Sequence, residues 1–256
     1  MDRMLYTAMS GARQTMEQQS VVSHNLANAS TSGFRAQLHA MRAVPVEGEA
    51  RLDTRVSTAA TTPGTDFTPG AITRTGRTLD LAIDGDGFLA VQGDDGGEAY
   101  TRRGDLQVDA NGLLTSMGRP VIGEGGPIQI PLEAELFVGA DGTLSAIGMG
   151  QDPDALAEVG RLKLVAPEPG ELERGELERG ADGLFRAMGA NGQPAELPAA
   201  EQVTVVSGAL EGSNVNPVEA MVSMIDVARR YELQTKMISS ADENAQKANG
   251  LLSLNG

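Results

Sequence analysis

The first 30 residues place small or apolar side chains at intervals of three and four, the spacing that puts them on one face of an α-helix. This stripe consists of Leu5, Ala8, Ala12, Thr15, Gln19, Val22 and Leu26. Because Ala, Thr and Gln occupy about half of these positions, each helical turn buries little apolar area. We therefore predict a long N-terminal helix, either a surface helix of a globular domain or one member of a weak coiled-coil-like pair.

The other end of the chain carries a strong helix start. Asn216 is a typical N-cap, Pro217 suits the first helical position, and Glu219 follows the cap by three residues. Neither Pro nor Gly interrupts residues 218–249, which predicts a helix of about 30 residues or more, roughly 45 Å long. Its packing stripe is Met221, Met224, Ala228, Tyr231, Thr235 and Ile238. An isolated helix would leave its stripe exposed to water. We therefore expect the two helices to pair with each other and with neighbouring copies.

Between Gly70 and Gly208, short apolar runs alternate with turn signals. The tetrads DANG at 109, GADG at 139, GADG at 180 and GANG at 189 combine Asx with Gly, the strongest local signal for a β-hairpin. The apolar runs predict strands at Leu79–Ile83, Phe88–Gln92, Leu106–Val108, Ile128–Ile130, Leu136–Val138, Arg161–Val165 and Gln202–Val206.

These patterns together predict an α+β fold. Residues 1–35 and 211–256 would form a discontinuous helical assembly domain in which the terminal helices pair in coiled-coil-like fashion. Residues 36–70 show no clear period and would be an extended connector with one strand near Thr54–Ser57. Residues 71–210 would form a Gly-rich, mainly antiparallel β domain. Within it, the direct repeat ELERGELERG at 171–180 is predicted to be an exposed loop.

Composition narrows the classes of partner. The chain has 256 residues, 40% of them hydrophobic, with 32 Gly, no Cys and no Trp, and a net charge of −15. Residues 1–30 sum to zero charge and residues 217–256 to −1, which leaves −14 for residues 31–216. An acidic middle disfavours nucleic acid and anionic membranes as partners. The absence of a signal-like segment or a membrane span would by itself predict a cytoplasmic protein.

Candidate catalytic chemistry is sparse. His24 and His39 are the only histidines, so a His-based triad or a zinc site has no obvious set of partners. The DGDG at 84–87 begins like a calcium loop, but Phe88 and Asp95 stand where an EF-hand needs a ligand and a Glu. A turn is the better interpretation. We therefore predict no enzyme, no cofactor and no metal site.

A cluster of short polar residues follows the N-terminal helix in NLANASTSGF. A helix end needs one capping residue rather than several. We interpret this cluster, with two asparagines before the C-terminal helix, as a docking corner whose side chains pair with backbone groups at helix ends. Gly33 would let the chain turn toward the β domain. The docking corner comprises Asn25, Asn28, Ser30, Thr31, Gly33, Asn214 and Asn216.

Both ends of the sequence resemble the bacterial flagellar axial proteins, the family of rod and hook subunits. The resemblance rests on MDRMLYTAMSGARQTMEQQSVVSHNLAN followed by ASTSGF, and on SNVNPVEAMVSMIDVARRYELQTKMI. The internal LAIDGDGFLAVQ and YTRRGDLQVDANG are similar to rod members of the family. One departure is His24, where the family often has Asn.

The resemblance implies a structural subunit of the basal-body rod, in its proximal part, with the distal rod or the hook as the alternative. It also implies type III export without a cleaved signal peptide, a location in the rod as it crosses the periplasm, and no membrane insertion. Its partners would be other rod proteins, copies of itself and the export apparatus. The predicted subunit-interface positions are Leu5, Ala12, Met16, Val22, Leu26, Met221, Met224, Ala228, Tyr231 and Ile238.

Two other hypotheses remain open on the sequence alone. One is a secreted Gly-rich module that binds calcium, which calcium-dependent melting would favour. The other is a metal-free hydrolase that uses carboxylates of the acidic middle, which turnover lost on changing a paired carboxylate would favour.

Overall fold

The computed structural model describes residues 2–39, 41–45, 56–60, 64–132, 134–148, 150, 156–167, 177–189 and 193–253. The chain is an α+β protein that divides into two compact units. The helical unit comprises Met1–Ala29, Ala36–Asp66 and Val215–Gly256. The β unit comprises Ser30–Arg35 and Phe67–Asn214.

Two long helices dominate the helical unit. Helix α1 spans Asp2–Ala27 and helix α2 spans Pro217–Ser253, and the two pack against each other. The predicted start of α2 is confirmed, because Asn216 Oδ1 accepts hydrogen bonds from the backbone N–H groups of Val218 at 3.0 Å and Glu219 at 3.4 Å. Among the described residues, neither helix is apolar enough over its length to cross a membrane.

Short strands also belong to the helical unit. Strand β1 (Gln37–Leu38) pairs with β4 (Gly64–Thr65), and β2 (Met41–Pro45) pairs with β3 (Val56–Ala60), both antiparallel. The predicted connector thus contains more strands than expected. These strands pair through backbone hydrogen bonds, which do not require the alternating apolar residues by which a strand is recognised in a sequence. The predicted strand at Thr54–Ser57 overlaps β3 at its last two residues, and its first two lie outside the described residues.

The β unit is built from antiparallel pairings. Two-stranded pairs join β5 (Ile72–Arg74) to β22 (Ala209–Glu211), β6 (Leu81–Asp84) to β21 (Thr204–Ser207), and β12 (Ile122–Gly123) to β13 (Gly126–Pro127). One three-stranded sheet contains β9 (Leu106–Val108), β10 (Leu114–Ser116) and β11 (Arg119–Pro120). Another contains β14 (Ala134–Val138), β15 (Thr143–Gly148) and β16 (Ala157–Arg161). The largest sheet contains β7 (Phe88–Gln92), β8 (Glu98–Thr101), β17 (Leu164–Val165), β18 (Leu177–Arg179), β19 (Phe185–Met188) and β20 (Pro194–Ala195).

Most strand predictions are confirmed, with ends shifted by a few residues, but two are wrong. Ile128 and Ile130 are buried, yet their backbone groups bond Leu114, Val121 and Gly112 outside a regular ladder. The predicted strand Arg161–Val165 is two strands, because β16 ends at Arg161 and β17 joins another sheet. A run of buried apolar residues indicates burial, but it does not show where the chain changes partner.

The Asx-Gly turns are confirmed as hairpins wherever the structure describes them. In the turn between β9 and β10, Asp109 Oδ1 accepts hydrogen bonds from the backbone N–H groups of Asn111 and Leu113, both at 2.8 Å. These bonds, that from Leu113 first, hold the pKa of the Asp109 carboxyl below its usual range. Asp141 and Asp182 make the same type of bond in the turns before β15 and β19. The GANG at 189 falls largely outside the described residues.

The second copy of the ELERG repeat is a strand, which corrects the prediction of an exposed loop. Leu177 is buried in a cluster with Phe88, Tyr100 and Phe185, and β18 pairs with β19. The first copy lies outside the described residues. A repeat of mostly charged residues reads as solvated, but one Leu facing an aromatic cluster is enough to hold the strand in place.

Two distant parts of the chain run side by side in the β unit. The Gly33 N–H donates to the carbonyl of Glu211 at 2.8 Å, and the Asn214 N–H donates to the carbonyl of Phe34 at 3.3 Å. Gly33 has φ +65°, and a Cβ there would lie 2.4 Å from the carbonyl carbon of Arg102. Both the backbone conformation and the close approach therefore require glycine.

We call the place where these two segments lie side by side the crossing. A buried carboxylate holds the segments together there. The Glu211 carboxylate lies 2.6 Å from Arg35 Nη2 and 2.7 Å from Arg102 Nε, and it accepts the Gly70 N–H at 2.8 Å. All three charged side chains are at most 3% exposed. Arg102 also donates to the carbonyls of Ile83, Gly85 and Gly87. Glu211 thus binds Arg35 of the other segment and also Arg102, and Arg102 in turn binds the loop after β6.

We expect Leu177→Ala to destabilise the β unit by about 2–5 kcal/mol, because it opens a cavity beside three aromatic rings. Thermal unfolding of the purified protein, followed by circular dichroism, measures the change. The matched comparison is Leu172→Ala in the first ELERG copy, for which the sequence predicts a melting temperature near that of the parent. Equal losses at the two positions would contradict the assignment of the second copy to the core.

Glu211→Gln should destabilise the β unit by about 3–5 kcal/mol, because it leaves two buried guanidinium groups without their counter-charge. The control is Asp94→Asn, which breaks an exposed ion pair to Arg119 in the same unit and should change stability by less than about 1 kcal/mol. Urea unfolding gives both values. Similar small losses for the two variants would mean that the Glu211 cluster does not hold the crossing together.

Candidate functional site

The contact between α1 and α2 is largely polar at its centre. The Thr15 hydroxyl oxygen lies 2.9 Å from Gln234 Oε1, and a Cβ on Gly11 would lie 3.0 Å from Gln234 Nε2. Gln14 and Thr15 are buried on α1, and Val227 is buried on α2. Such a contact buries little apolar area, so it stabilises the helix pair weakly.

The predicted interface positions divide between half-buried and exposed positions of α1 and α2. Ala12, Val22, Leu26, Met224 and Ile238 are half-buried, whereas Met16, Met221, Ala228 and Tyr231 are exposed. The side chain of Leu5 lies outside the described residues. The stripe on α2 that faces inward is centred on Val227, roughly a fifth of a turn from the predicted stripe. Two overlapping stripes with the same spacing exist on α2, and the sequence does not rank them.

The first turns of α2 carry an exposed apolar face, of which the sequence predicted only Met221 as an interface position. Val218, Met221, Val222 and Ile225 are 50–67% exposed and follow the 3–4 spacing of one helix face over the first turns of α2. We call these four residues the α2 patch. A contiguous exposed apolar face typically marks an interaction surface. Apolar residues occupy two sides of α2 near its start, and the predicted packing stripe included only one of these sides.

The asparagines of the docking corner engage backbone groups of their own chain. Asn25 Nδ2 donates to the Gln37 carbonyl, and the Gln37 N–H donates to Asn25 Oδ1, both at 2.9 Å. Asn28 Nδ2 donates to the carbonyl of His24 at 2.9 Å, just past the end of α1. Asn216 caps α2. In the helical unit, these amides therefore close helix ends and hold β1 within the chain itself.

The remaining residues of the docking corner lie in the β unit. Asn214 Nδ2 donates to the carbonyl of Thr68 at 3.0 Å, and the Thr31 carbonyl accepts the Phe34 N–H at 3.3 Å. Ser30 is exposed. Gly33 and Asn214 lie close together at the crossing, where backbone hydrogen bonds join the segment of each residue to that of the other. Whether these residues also contact a neighbouring subunit stays a prediction.

Arg179 completes the crossing and was not foreseen. Its guanidinium carbon lies 4.4 Å from the centroid of the Phe34 ring, and its Nη1 donates to the Arg35 carbonyl at 2.9 Å. Burial lowers the pKa of the Arg179 guanidinium from its ordinary value. This arginine belongs to the second ELERG copy, so the repeat supplies a structural contact as well as a strand.

A surface cleft of the β unit contains the ion pair of Glu98 and Lys163. Glu98 lies 2.7 Å from Lys163 Nζ and accepts the Tyr100 hydroxyl at 3.0 Å. That hydroxyl in turn accepts the Leu197 N–H at 2.7 Å, and burial raises the pKa of the Tyr100 phenol. The charged residues that line the cleft are Glu98, Glu124, Lys163 and Glu196. This arrangement holds β8 to neighbouring segments and presents no activated nucleophile.

Three family profiles match the chain. Residues 5–35 match "Flagella basal body rod protein", residues 82–146 match "Flagellar hook protein FlgE/F/G D1 domain", and residues 206–251 match "Flagellar basal body rod FlgEFG protein C-terminal". The first and last matches include most of α1 and most of α2, and the central match lies in the β unit.

Full-length relatives agree with the profiles. The chain is 53% identical to the flagellar basal-body rod protein FlgF of Salmonella typhimurium, over 99% of this chain and 100% of that protein. It is 53% identical to FlgF of Escherichia coli with the same coverage. It is 32% identical to the flagellar basal-body rod protein FlgG of Buchnera aphidicola from Acyrthosiphon pisum, over 96% of this chain and 98% of that protein. The chain therefore belongs to the flagellar basal-body rod protein family and is a structural subunit of the rod.

Proposed function

We propose that this chain is a non-catalytic subunit of the proximal rod that joins its neighbours through α1 and α2. The observation that carries the proposal is the α2 patch, whose four apolar side chains are half or more exposed in the isolated chain. Exposed apolar area of this kind is stabilised when a neighbouring helix covers it. The 53% identity to the FlgF proteins of Salmonella typhimurium and Escherichia coli, which exceeds the 32% identity to FlgG of Buchnera aphidicola, supports the proximal over the distal rod.

The polar contact between α1 and α2 supports the same proposal. Thr15 and Gln234 meet where a self-sufficient helix pair would bury Leu or Ile. A coiled-coil-like packing of the terminal helices would then be completed by helices of other rod subunits, both copies of this chain and related rod proteins. The predicted interface residues on the exposed sides of the helices, such as Met16 and Tyr231, would contribute there.

The charge distribution fits a subunit whose ends assemble and whose middle stays solvated. The near-neutral ends avoid repulsion between closely packed helices, and the acidic middle keeps the remaining surface hydrated. Type III export would deliver the chain to the rod, where it crosses the periplasm. The absence of cysteine is compatible with export of an unfolded chain, since no disulfide has to be reformed.

Val222→Asp should leave the purified protein as stable as the parent, because Val222 is 55% exposed and surface changes usually alter stability by less than about 0.5 kcal/mol. In the rod, the same change would bury an unpaired charge at a cost of several kcal/mol. We expect loss of motility and basal bodies that lack the distal rod. Quantifying the variant in purified basal bodies, relative to the amount exported, is the measurement.

Two controls accompany this experiment. Val222→Ile keeps the shape and the apolar character of the patch and should assemble normally. Ser240→Asp adds the same charge at an exposed polar position on α2 and should be tolerated better than Val222→Asp. Incorporation of Val222→Asp at the parental level would show that the α2 patch is not an assembly surface. Basal bodies that keep a complete proximal rod but lack this variant would place the subunit in the distal rod instead.

A further inference from the structure

Helix α2 turns its less apolar side toward α1. On this side Val227 is buried, Met224 and Ile238 are half-buried, and the polar Gln234 follows Val227 about two helical turns later. The exposed apolar residues that lie about 120° or more around the helix from Val227 are Val218, Met221, Val222, Ile225 and Leu233. Burial of apolar area alone would turn this opposite side toward α1. Another interaction must therefore orient α2.

A polar contact between the two helices can supply that interaction. The Thr15 hydroxyl oxygen lies 2.9 Å from the carbonyl oxygen of Gly11, one turn earlier on α1, and 2.9 Å from Gln234 Oε1 on α2. Thr15 is 4% exposed, so this hydroxyl faces α2 rather than water. We call Gly11, Thr15 and Gln234 the polar notch. The notch forms only while the Gln234 side of α2 faces α1.

Gly11 shows independently that α1 is shaped for Gln234. A Cβ at Gly11 would lie 3.0 Å from Gln234 Nε2, so a larger residue there would push the Gln234 side chain away. Gly11 also lies in the interior of α1, where glycine is among the least favourable residues for a helix. The chain thus has a helix-weakening residue at the point where Gln234 approaches α1.

The N-cap of α2 does not by itself fix the rotation of the helix about its axis. Asn216 bonds the backbone N–H groups of Val218 and Glu219, which belong to α2 and would turn with it. Residues 212–216, which precede α2, are not helical. In coiled coils, one buried polar position can specify how helices are arranged, at a cost in stability. The polar notch has the composition and the position for such a role.

We propose that the polar notch is a positioning element that holds the Val227 side of α2 against α1 and thereby keeps the α2 patch available for assembly. Thr15 and Gln234 act as specificity residues, since their contact selects one of two apolar sides of α2. The role of this orientation in assembly rests on the proposed function, whereas the orientation itself is a property of the isolated chain.

The test measures which side of α2 is accessible. The chain has no cysteine, so Val222→Cys or Val227→Cys introduces a single thiol on the exposed or the buried side of α2. The rate of reaction of each thiol with a small maleimide, divided by its rate in urea, reports its accessibility. Each cysteine is combined with Thr15→Val, which removes the hydroxyl, or with Thr15→Ser, which keeps it.

We expect the thiol at position 222 to react faster than the thiol at 227 in the parent. In Thr15→Val, the ratio of the two rates should fall about fivefold or more, with a slower reaction at 222 and a faster one at 227. Thr15→Ser should keep the parental ratio. In cells, the amount of Thr15→Val in purified basal bodies, relative to the amount exported, should also fall, while Thr15→Ser assembles normally.

A parental ratio in Thr15→Val would overturn the inference and leave the proposed function standing. A faster reaction at 227 without a slower one at 222 would also overturn it, because α2 would then have detached from α1 rather than turned. Equal changes in Thr15→Ser and Thr15→Val would assign the effect to the methyl group and not to the hydroxyl. The expected labelling together with normal incorporation of Thr15→Val would confirm the orienting role and instead defeat the proposed use of the α2 patch in assembly.

Discussion

The fold depends on a buried carboxylate that binds two guanidinium groups. Glu211 sits in the strand that leaves the β unit, Arg35 in the segment that enters it, and Arg102 in the loop between β8 and β9. A chain whose central unit is inserted between two terminal helices must bring its incoming and outgoing segments together. The ion pairs, the Gly33–Glu211 backbone bond and the stacking of Arg179 on Phe34 satisfy this requirement. A buried charge cluster of this kind specifies one geometry, since any displacement leaves a charge unpaired.

The two units differ in how completely they bury their apolar residues. In the β unit, two apolar clusters are buried: one contains Leu81 and Leu144, and the other contains Phe185. In the helical unit, α1 and α2 meet through Thr15 and Gln234, while the α2 patch stays exposed. The physical consequence is a division of labour. We propose that the β unit supplies most of the stability of the isolated chain, and that the helices supply surface that other subunits bury.

Structural features that depend on neighbouring residues, such as turns and helix caps, could be predicted from the sequence. The pairing of strands and helices with distant segments could not. The Asx-Gly turns and the Asn216 cap are set by residues within four positions of each other, so the sequence alone determined them. The break at Arg161–Val165 and the strand at Leu177 depend on distant partners such as β7 and β19. On α2, two stripes with the same spacing were equivalent in sequence, and only packing against α1 selected Val227. The burial of Arg35, Arg102 and Glu211 was not predicted, because nothing in the local sequence marks a charge as buried.

We propose that the helices of the isolated subunit are weakly stabilised and become fully packed in the rod. Amide hydrogen exchange, measured on the dilute purified protein and on purified basal bodies, tests it most directly. We expect rapid exchange along α1 and α2 in the purified protein and slow exchange in the β unit, with both helices becoming protected after assembly. Strong protection of α1 and α2 in the dilute monomer, equal to that of the β unit, would contradict it.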